Sequence, residues 1–117
     1  MNNHKYLASV RQKIELFYKY PLKVAELARG AGVSESKLQH AFPIAFGTNI
    51  QYYQLQVRIN KAKEYLEDTD NSLKWISFSV GYKSCRSFIR AFKKNTGTTP
   101  DLYRKQQQKN IFSLGVN

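Results

Sequence analysis

The chain has 117 residues, 42% of them hydrophobic and 14% aromatic, and carries 19 Lys and Arg against 8 Asp and Glu for a formal charge of +11. That length can bury one sizeable core or two small linked ones, the apolar content excludes a disordered polycation, and the charge calls for an anionic partner. Cys85 stands alone, which excludes an intramolecular disulfide, and no apolar run approaches the roughly 18 residues of a membrane span, so a soluble cytoplasmic protein is expected.

Helical periodicity runs through nearly the whole chain, and strand-like alternation is scarce. The spacing predicts a first helix from about Lys5 to Tyr20, with Leu7, Val10, Ile14 and Phe17 on one face and Pro21 ending it. A short helix follows from about Val24 to Gly30, made apolar by Leu27, Ala28 and Ala31. Gly32 supplies the turn, and Ser34 caps a third helix that carries Leu38, Ala41 and Phe42 inward and stops near Gly47.

Thr48 and Gln51 have capping-box spacing ahead of a long run with Ile50, Tyr53, Val57, Ala62 and Leu66 as apolar positions. The run ends at Asp68-Thr69-Asp70-Asn71. About twenty helical residues span roughly 30 Å, so this run would be a rigid spacer. Beyond it the pattern predicts a helix from about Ser72 to Val80, a turn at Gly81, and a helix opened by Ser84 and closed at Gly97. Thr99 and Pro100 start a last helix. The expected fold is all-α: seven helices, forming two helix-turn-helix subdomains joined by a long linker helix. The divisions fall at residues 1–47, 48–71 and 72–108, and a tail at 109–117 extends the last helix, packs or frays.

The chain also matches itself at an offset of about fifty. Gly32, Ser34, Leu38, Ala41-Phe42, Gly47 and Tyr53 fall opposite Gly81, Ser84, Phe88, Ala91-Phe92, Gly97 and Tyr103. A repeat of this length is one supersecondary unit used twice. Charge is shared unequally between the copies. Residues 72–117 hold nine basic side chains against Asp101 alone, whereas residues 21–47 have three basic and two acidic.

In a helix-turn-helix, the helix after the turn enters the major groove, with apolar positions inward and hydrogen-bonding positions outward. The outward positions are Glu35, Ser36, Lys37, Gln39 and His40 in the first copy. In the second they are Lys83, Cys85, Arg86, Ile89, Arg90, Lys93 and Lys94. Arginine can bridge guanine O6 and N7, glutamine adenine N6 and N7, and isoleucine can meet a thymine methyl. Flanking lysines suit phosphates, which position without reading.

These residues resemble the AraC/XylS family of bacterial transcription regulators. The second copy carries the likeness: Ile76 to Ser84, then Phe88-Ile89-Arg90-Ala91-Phe92-Lys93-Lys94, then Gly97-Thr98-Thr99-Pro100 and Tyr103-Arg104. The first copy, Val24 to Phe42, resembles the other half, and Arg58 with Ala62 fits the family's linker-helix pattern. The resemblance implies a sequence-specific regulator that binds double-stranded DNA as one asymmetric site of two successive major-groove segments. It places Ser36, Gln39, His40, Cys85, Arg86, Ile89 and Arg90 against bases. Ser34, Lys37, Lys83, Ser84, Lys93, Lys94 and Arg104 are the expected phosphate contacts. It also implies RNA polymerase as a partner, a nucleoid location, and a sensor domain in a longer regulator of which this chain is the C-terminal part.

Three positions depart from the family pattern: His40 replaces a common arginine, Pro43 a common lysine, and Ser77 an alanine. The second reader is therefore expected to supply most of the electrostatic affinity. Phe17, Phe42, Tyr53, Phe88, Phe92 and Tyr103 sit at inward spacing and are expected in the core, with Trp75 packed between helices. Cys85 is expected as an ordinary groove-facing side chain. His4 and His40 are too isolated for a metal site, and phosphate loops and nucleophile–base motifs are absent, so neither cofactor nor catalysis is expected. A nonspecific nucleic-acid binder or a module for an acidic protein would also suit the charge. Neither needs the duplicated frame.

Overall fold

The computed structural model describes the backbone of residues 4–116 and the side chains of residues 5–110. Among these it has seven helices and no strand: α1 (His4–Leu16), α2 (Val24–Ala31), α3 (Glu35–Phe46), α4 (Ile50–Asp68), α5 (Leu73–Ser79), α6 (Cys85–Thr96) and α7 (Pro100–Val116). The chain divides into two compact units, Met1–Val57 and Arg58–Asn117. The division falls inside α4, so each unit holds three helices and part of that one. The tail side chains from Ile111 onward, like that of His4, lie outside the described residues.

In the first unit α1, α2 and α3 pack against one another around Leu7, Val10, Ile14, Ala28, Leu38, Phe42 and Ile50, all buried. In the second, Ile59, Ala62 and Leu66 of α4 are buried, as are Ile76, Val80, Phe88 and Phe92, with α5 packed on α6 and α6 on α7. Ser77 sits in that core with its hydroxyl donating to the Lys74 carbonyl at 2.8 Å, so the polar atom is satisfied where the family has alanine.

Local chemistry sets the helix ends. Ser34, Ser72 and Ser84 each have extended backbone and accept an amide hydrogen three residues on. Gly32, Gly47 and Gly97 close helices in the left-handed region, at φ of 72°, 75° and 83°. Around Gly32 and Gly97 a Cβ would meet nothing within 4 Å, so the requirement there is conformational rather than spatial.

Three expectations change. Phe17 is not core: α1 stops at Leu16 and Phe17 is 59% exposed. Tyr20 precedes Pro21, which disfavours helical backbone at Tyr20, and the chain turns there with the Tyr20 amide on the Phe17 carbonyl at 3.1 Å. The cap of α4 is Asn49 instead of Thr48; its Oδ1 accepts the Tyr52 amide at 2.7 Å, as Thr99 accepts that of Leu102 at 3.2 Å. Trp75 packs edge-to-face on Tyr65 at 5.0 Å but leaves 44% of its surface exposed.

The repeat extends to the ties that close each unit. Phe42 meets Tyr53 edge-to-face at 5.7 Å, and Phe92 meets Tyr103 likewise at 5.6 Å. The Tyr53 hydroxyl donates to Glu15 of α1, and the Tyr103 hydroxyl donates to Glu67 of α4. The next residue completes the pattern. Gln54 donates through Nε2 to the carbonyls of Tyr18 and Tyr20, at 3.1 and 2.7 Å. Arg104 donates through Nε to Leu66 at 3.1 Å and through Nη2 to Tyr65 and Thr69 at 3.4 and 3.0 Å. Gln54 of α4 is thus fastened to the chain just past α1, and Arg104 of α7 to the end of α4. The Tyr65 and Leu66 carbonyls lie in the last turn of α4, where a guanidinium also suits the helix dipole.

Charged hydrogen bonds of this kind contribute about 1.5–3 kcal/mol. Arg104→Ala should lower the unfolding free energy by that amount in urea titrations, whereas exposed Lys109→Ala should change it by less than about 0.5 kcal/mol. The tyrosine ties predict a pH dependence. Burial, then the bond to a carboxylate, pushes each phenol up to about 12 from its ordinary 10.0. The folded state therefore holds protons that the unfolded chain releases first. This stabilisation is complete below pH 10 and is lost as pH rises towards 12. Thermal melts should show a steeper loss across that window for the native chain than for Tyr53→Phe/Tyr103→Phe.

Candidate nucleic-acid interface

Each reader helix is presented by a glycine turn that carries the same hydrogen bond. The Val33 amide donates to the Ala28 carbonyl at 3.0 Å, and the Tyr82 amide to the Ser77 carbonyl at 2.9 Å. Gly32 and Gly81 sit at φ of 72° and 104°, which a side chain would strain. The second turn is one residue longer, because Lys83 stands between Tyr82 and Ser84. It is braced from α4: the Arg58 guanidinium lies over the Tyr82 ring at 5.5 Å, and Tyr82 packs on Phe88 at 5.7 Å. Burial lowers the Arg58 guanidinium from its usual range and raises the Tyr82 phenol; each group opposes the other's shift.

With Leu38 and Phe42 buried on α3, and Phe88 and Phe92 on α6, the opposite faces are fixed outward. Ser36, Gln39 and His40 are exposed on α3. Arg86 and Arg90 are exposed on α6, with Cys85 and Ile89 half-buried beside them. Lys37, Lys83, Lys93 and Lys94 are exposed. Ser34 and Ser84 are exposed too, although both serve first as caps. Ser84 donates its own hydrogen to the Ser87 hydroxyl at 3.0 Å, while Ser87 donates to the Ser84 carbonyl at 2.9 Å.

Arg104 is placed differently from the expected phosphate contact. It is half-buried, and its guanidinium is turned onto the three α4-end carbonyls, so its charge works inside the unit. Two other contributors escaped the sequence reading. Ile59 is buried in the second core, and Arg11 lies over the Phe46 ring at 4.8 Å at the foot of α3.

The two faces differ electrostatically where they approach a ligand. The first turn of α3 carries Glu35; that of α6 has no acidic residue, and Cys85 stands at the matching position. Lys93 and Lys94 occupy the last turn of α6, whereas α3 has no basic residue there. Pro43 sits inside α3, where its missing amide removes one helix bond, but the helix continues to Phe46 and the Gly47 amide reaches the Pro43 carbonyl at 2.7 Å. Among the described residues no cluster of His, Cys, Asp and Glu could hold a metal, and no helix is long and apolar enough to cross a membrane.

Comparison with known proteins agrees with this geometry. A family model described as a helix-turn-helix domain matches residues 27–106. The Msm operon regulatory protein of Streptococcus mutans is 33% identical over 105 residues, covering 90% of this chain and 38% of that protein. The chain therefore spans well under half the length of that relative. The crystal structure of an AraC-type transcriptional regulator from Chromobacterium violaceum superposes with a TM-score of 0.81 at 27% identity, over 89% of this chain and 93% of that one. The DNA-binding domain of AdpA, solved in complex with a target DNA, has the same fold, with a TM-score of 0.81 at 22% identity over 89% and 94% of the two chains. By its family model, its relatives and its fold, the chain belongs to the AraC-type helix-turn-helix family of transcription regulators.

Proposed function

We propose that this chain is the sequence-specific DNA-binding part of a transcription regulator, placing α3 and α6 in two successive major-groove segments of an asymmetric promoter site. The observation that carries this reading is the duplicated frame with two different outward faces. Leu38 and Phe42 are fully buried at the same repeat positions as Phe88 and Phe92, while the exposed residues over them share almost no identity. A nonspecific polycation would gain nothing from so regular a scaffold.

On this reading Arg86 and Arg90 bridge guanines, Ile89 meets a thymine methyl, and Cys85 lies against the groove wall. Gln39 pairs with adenine, with Ser36 and His40 beside it. Lys37, Lys83, Lys93, Lys94 and the cap serines Ser34 and Ser84 hold phosphates and set the register. Arg104 is left out of that set, because its donors are engaged within the unit. Linking both readers in one chain raises the effective concentration of the second contact once the first is made. Glu35 weakens the field at the first reader, so the second anchors the complex. In a longer regulator the module would share its chain with a sensor domain and present its promoter to RNA polymerase in the cytoplasm, at the nucleoid.

Duplexes selected from a random pool provide the test, with affinity then measured across salt concentrations. Arg86→Ala and Arg90→Ala should each cost about 1–3 kcal/mol on the selected duplex and relax its preferred base. Lys93→Ala should weaken every duplex alike and flatten the salt slope by about one. Greater losses from Gln39→Ala and His40→Ala than from both arginines would overturn the asymmetry. Equal affinity for selected and bulk DNA would overturn sequence-specific reading.

A further inference from the structure

The first unit carries an apolar concavity that DNA reading does not use. Leu16, Phe17 and Tyr20 are 66%, 59% and 53% exposed within five consecutive residues. Next to them lies a groove of about 580 Å³ lined by Ile14, Phe17, Tyr20, Leu22 and Leu27. Small soluble proteins rarely leave such side chains together in water unless something covers them. None of Ser34, Ser36, Gln39 or His40 lines the groove, so its occupant does not displace the reader's contacts.

The shape and charge of this place define the occupant. Phosphates gain nothing from an apolar lining. A flat lipid surface does not fill a concavity, whereas the side-chain ridge of an amphipathic helix does. The charged residues on the groove are Lys13, Lys23 and Glu26. Glu26 is already paired with Lys23 at 3.6 Å, and nearby Glu15 accepts the Tyr53 hydroxyl. Lys19 lies over the Tyr20 ring at 5.4 Å at the same margin. Lys23 and Glu26 offset one another, so Lys13 on the groove and Lys19 at its margin give the rim a modest positive excess around an apolar trough.

We infer that this groove docks an amphipathic helix of a partner protein whose apolar stripe is bordered by aspartate and glutamate. Burying Phe17 and Tyr20 supplies the affinity, and the lysine border selects against basic helices, which would otherwise match the apolar lining equally well.

Two fluorescein-labelled designed helical peptides test this by anisotropy against the whole chain. They share a Leu stripe at i, i+3, i+4 and i+7 and carry glutamates or lysines beside it. The acidic peptide should bind with a dissociation constant on the order of 10 µM, as small interfaces do. Phe17→Ser should weaken it about tenfold while the affinity for selected DNA stays unchanged, which certifies the fold. Lys13→Glu should weaken the acidic peptide and strengthen the basic one. Equal binding of both peptides would overturn the inference, as would indifference to Phe17→Ser. So would capture of the chain by phosphatidylglycerol vesicles in a Phe17-dependent manner without binding of the acidic peptide.

Discussion

Each reader helix is held by one tie. A phenylalanine from its inner face, Phe42 or Phe92, meets the ring of a tyrosine from the following helix. The hydroxyl of that tyrosine is bonded to a glutamate on the first helix of its unit, Glu15 of α1 or Glu67 of α4. Three helices are therefore joined through a single side chain, and the fourth is the short α2 or α5 packed beneath the reader. Aromatic pairs of this kind contribute about 0.5–1.5 kcal/mol beyond the area they bury. Their larger effect here is geometric, because they fix which face of α3 or α6 turns away from the core.

Once that face is fixed, the outward residues are free to differ. The turn glycines, the cap serines and the inner phenylalanines are matched between copies, while Ser36, Gln39 and His40 have no likeness to Arg86, Ile89 and Arg90. The supporting ties differ only in strength. Gln54 makes two neutral hydrogen bonds at the end of α1, and Arg104 makes three charge-assisted ones at the end of α4. The more basic copy thus also has the stronger clamp, and part of its charge is spent on structure.

Much of the fold was legible because its determinants are local. A glycine at positive φ, a serine cap and a phenylalanine on a 3.6-residue period each announce themselves within a few residues. What escaped was decided at longer range. Ile59 is buried because α4 serves two cores, so its apolar phase changes between Val57 and Ile59 and a single stripe does not describe it. Phe17 continues the stripe of α1, yet the approach to Pro21 ends the helix one residue earlier. Arg104 was legible as charge but not as a cap, since its partner carbonyls lie 35 to 39 residues upstream. On the candidate interface, the outward positions followed directly from the buried ones. Which bases they meet is set by the ligand and has no trace in the periodicity.

The central claim is that frame and reading surface are separable, and a graft tests it most directly. Ser36→Arg, Gln39→Ile and His40→Arg together copy Arg86, Ile89 and Arg90 onto α3 at the repeat positions. If the frame alone holds the helix, the unfolding free energy should stay within roughly 0.5 kcal/mol per exposed site. The duplexes then selected from a random pool should show the second segment's bases in both halves. A graft that leaves the selected first half unchanged, or that unfolds the first unit, would contradict the account.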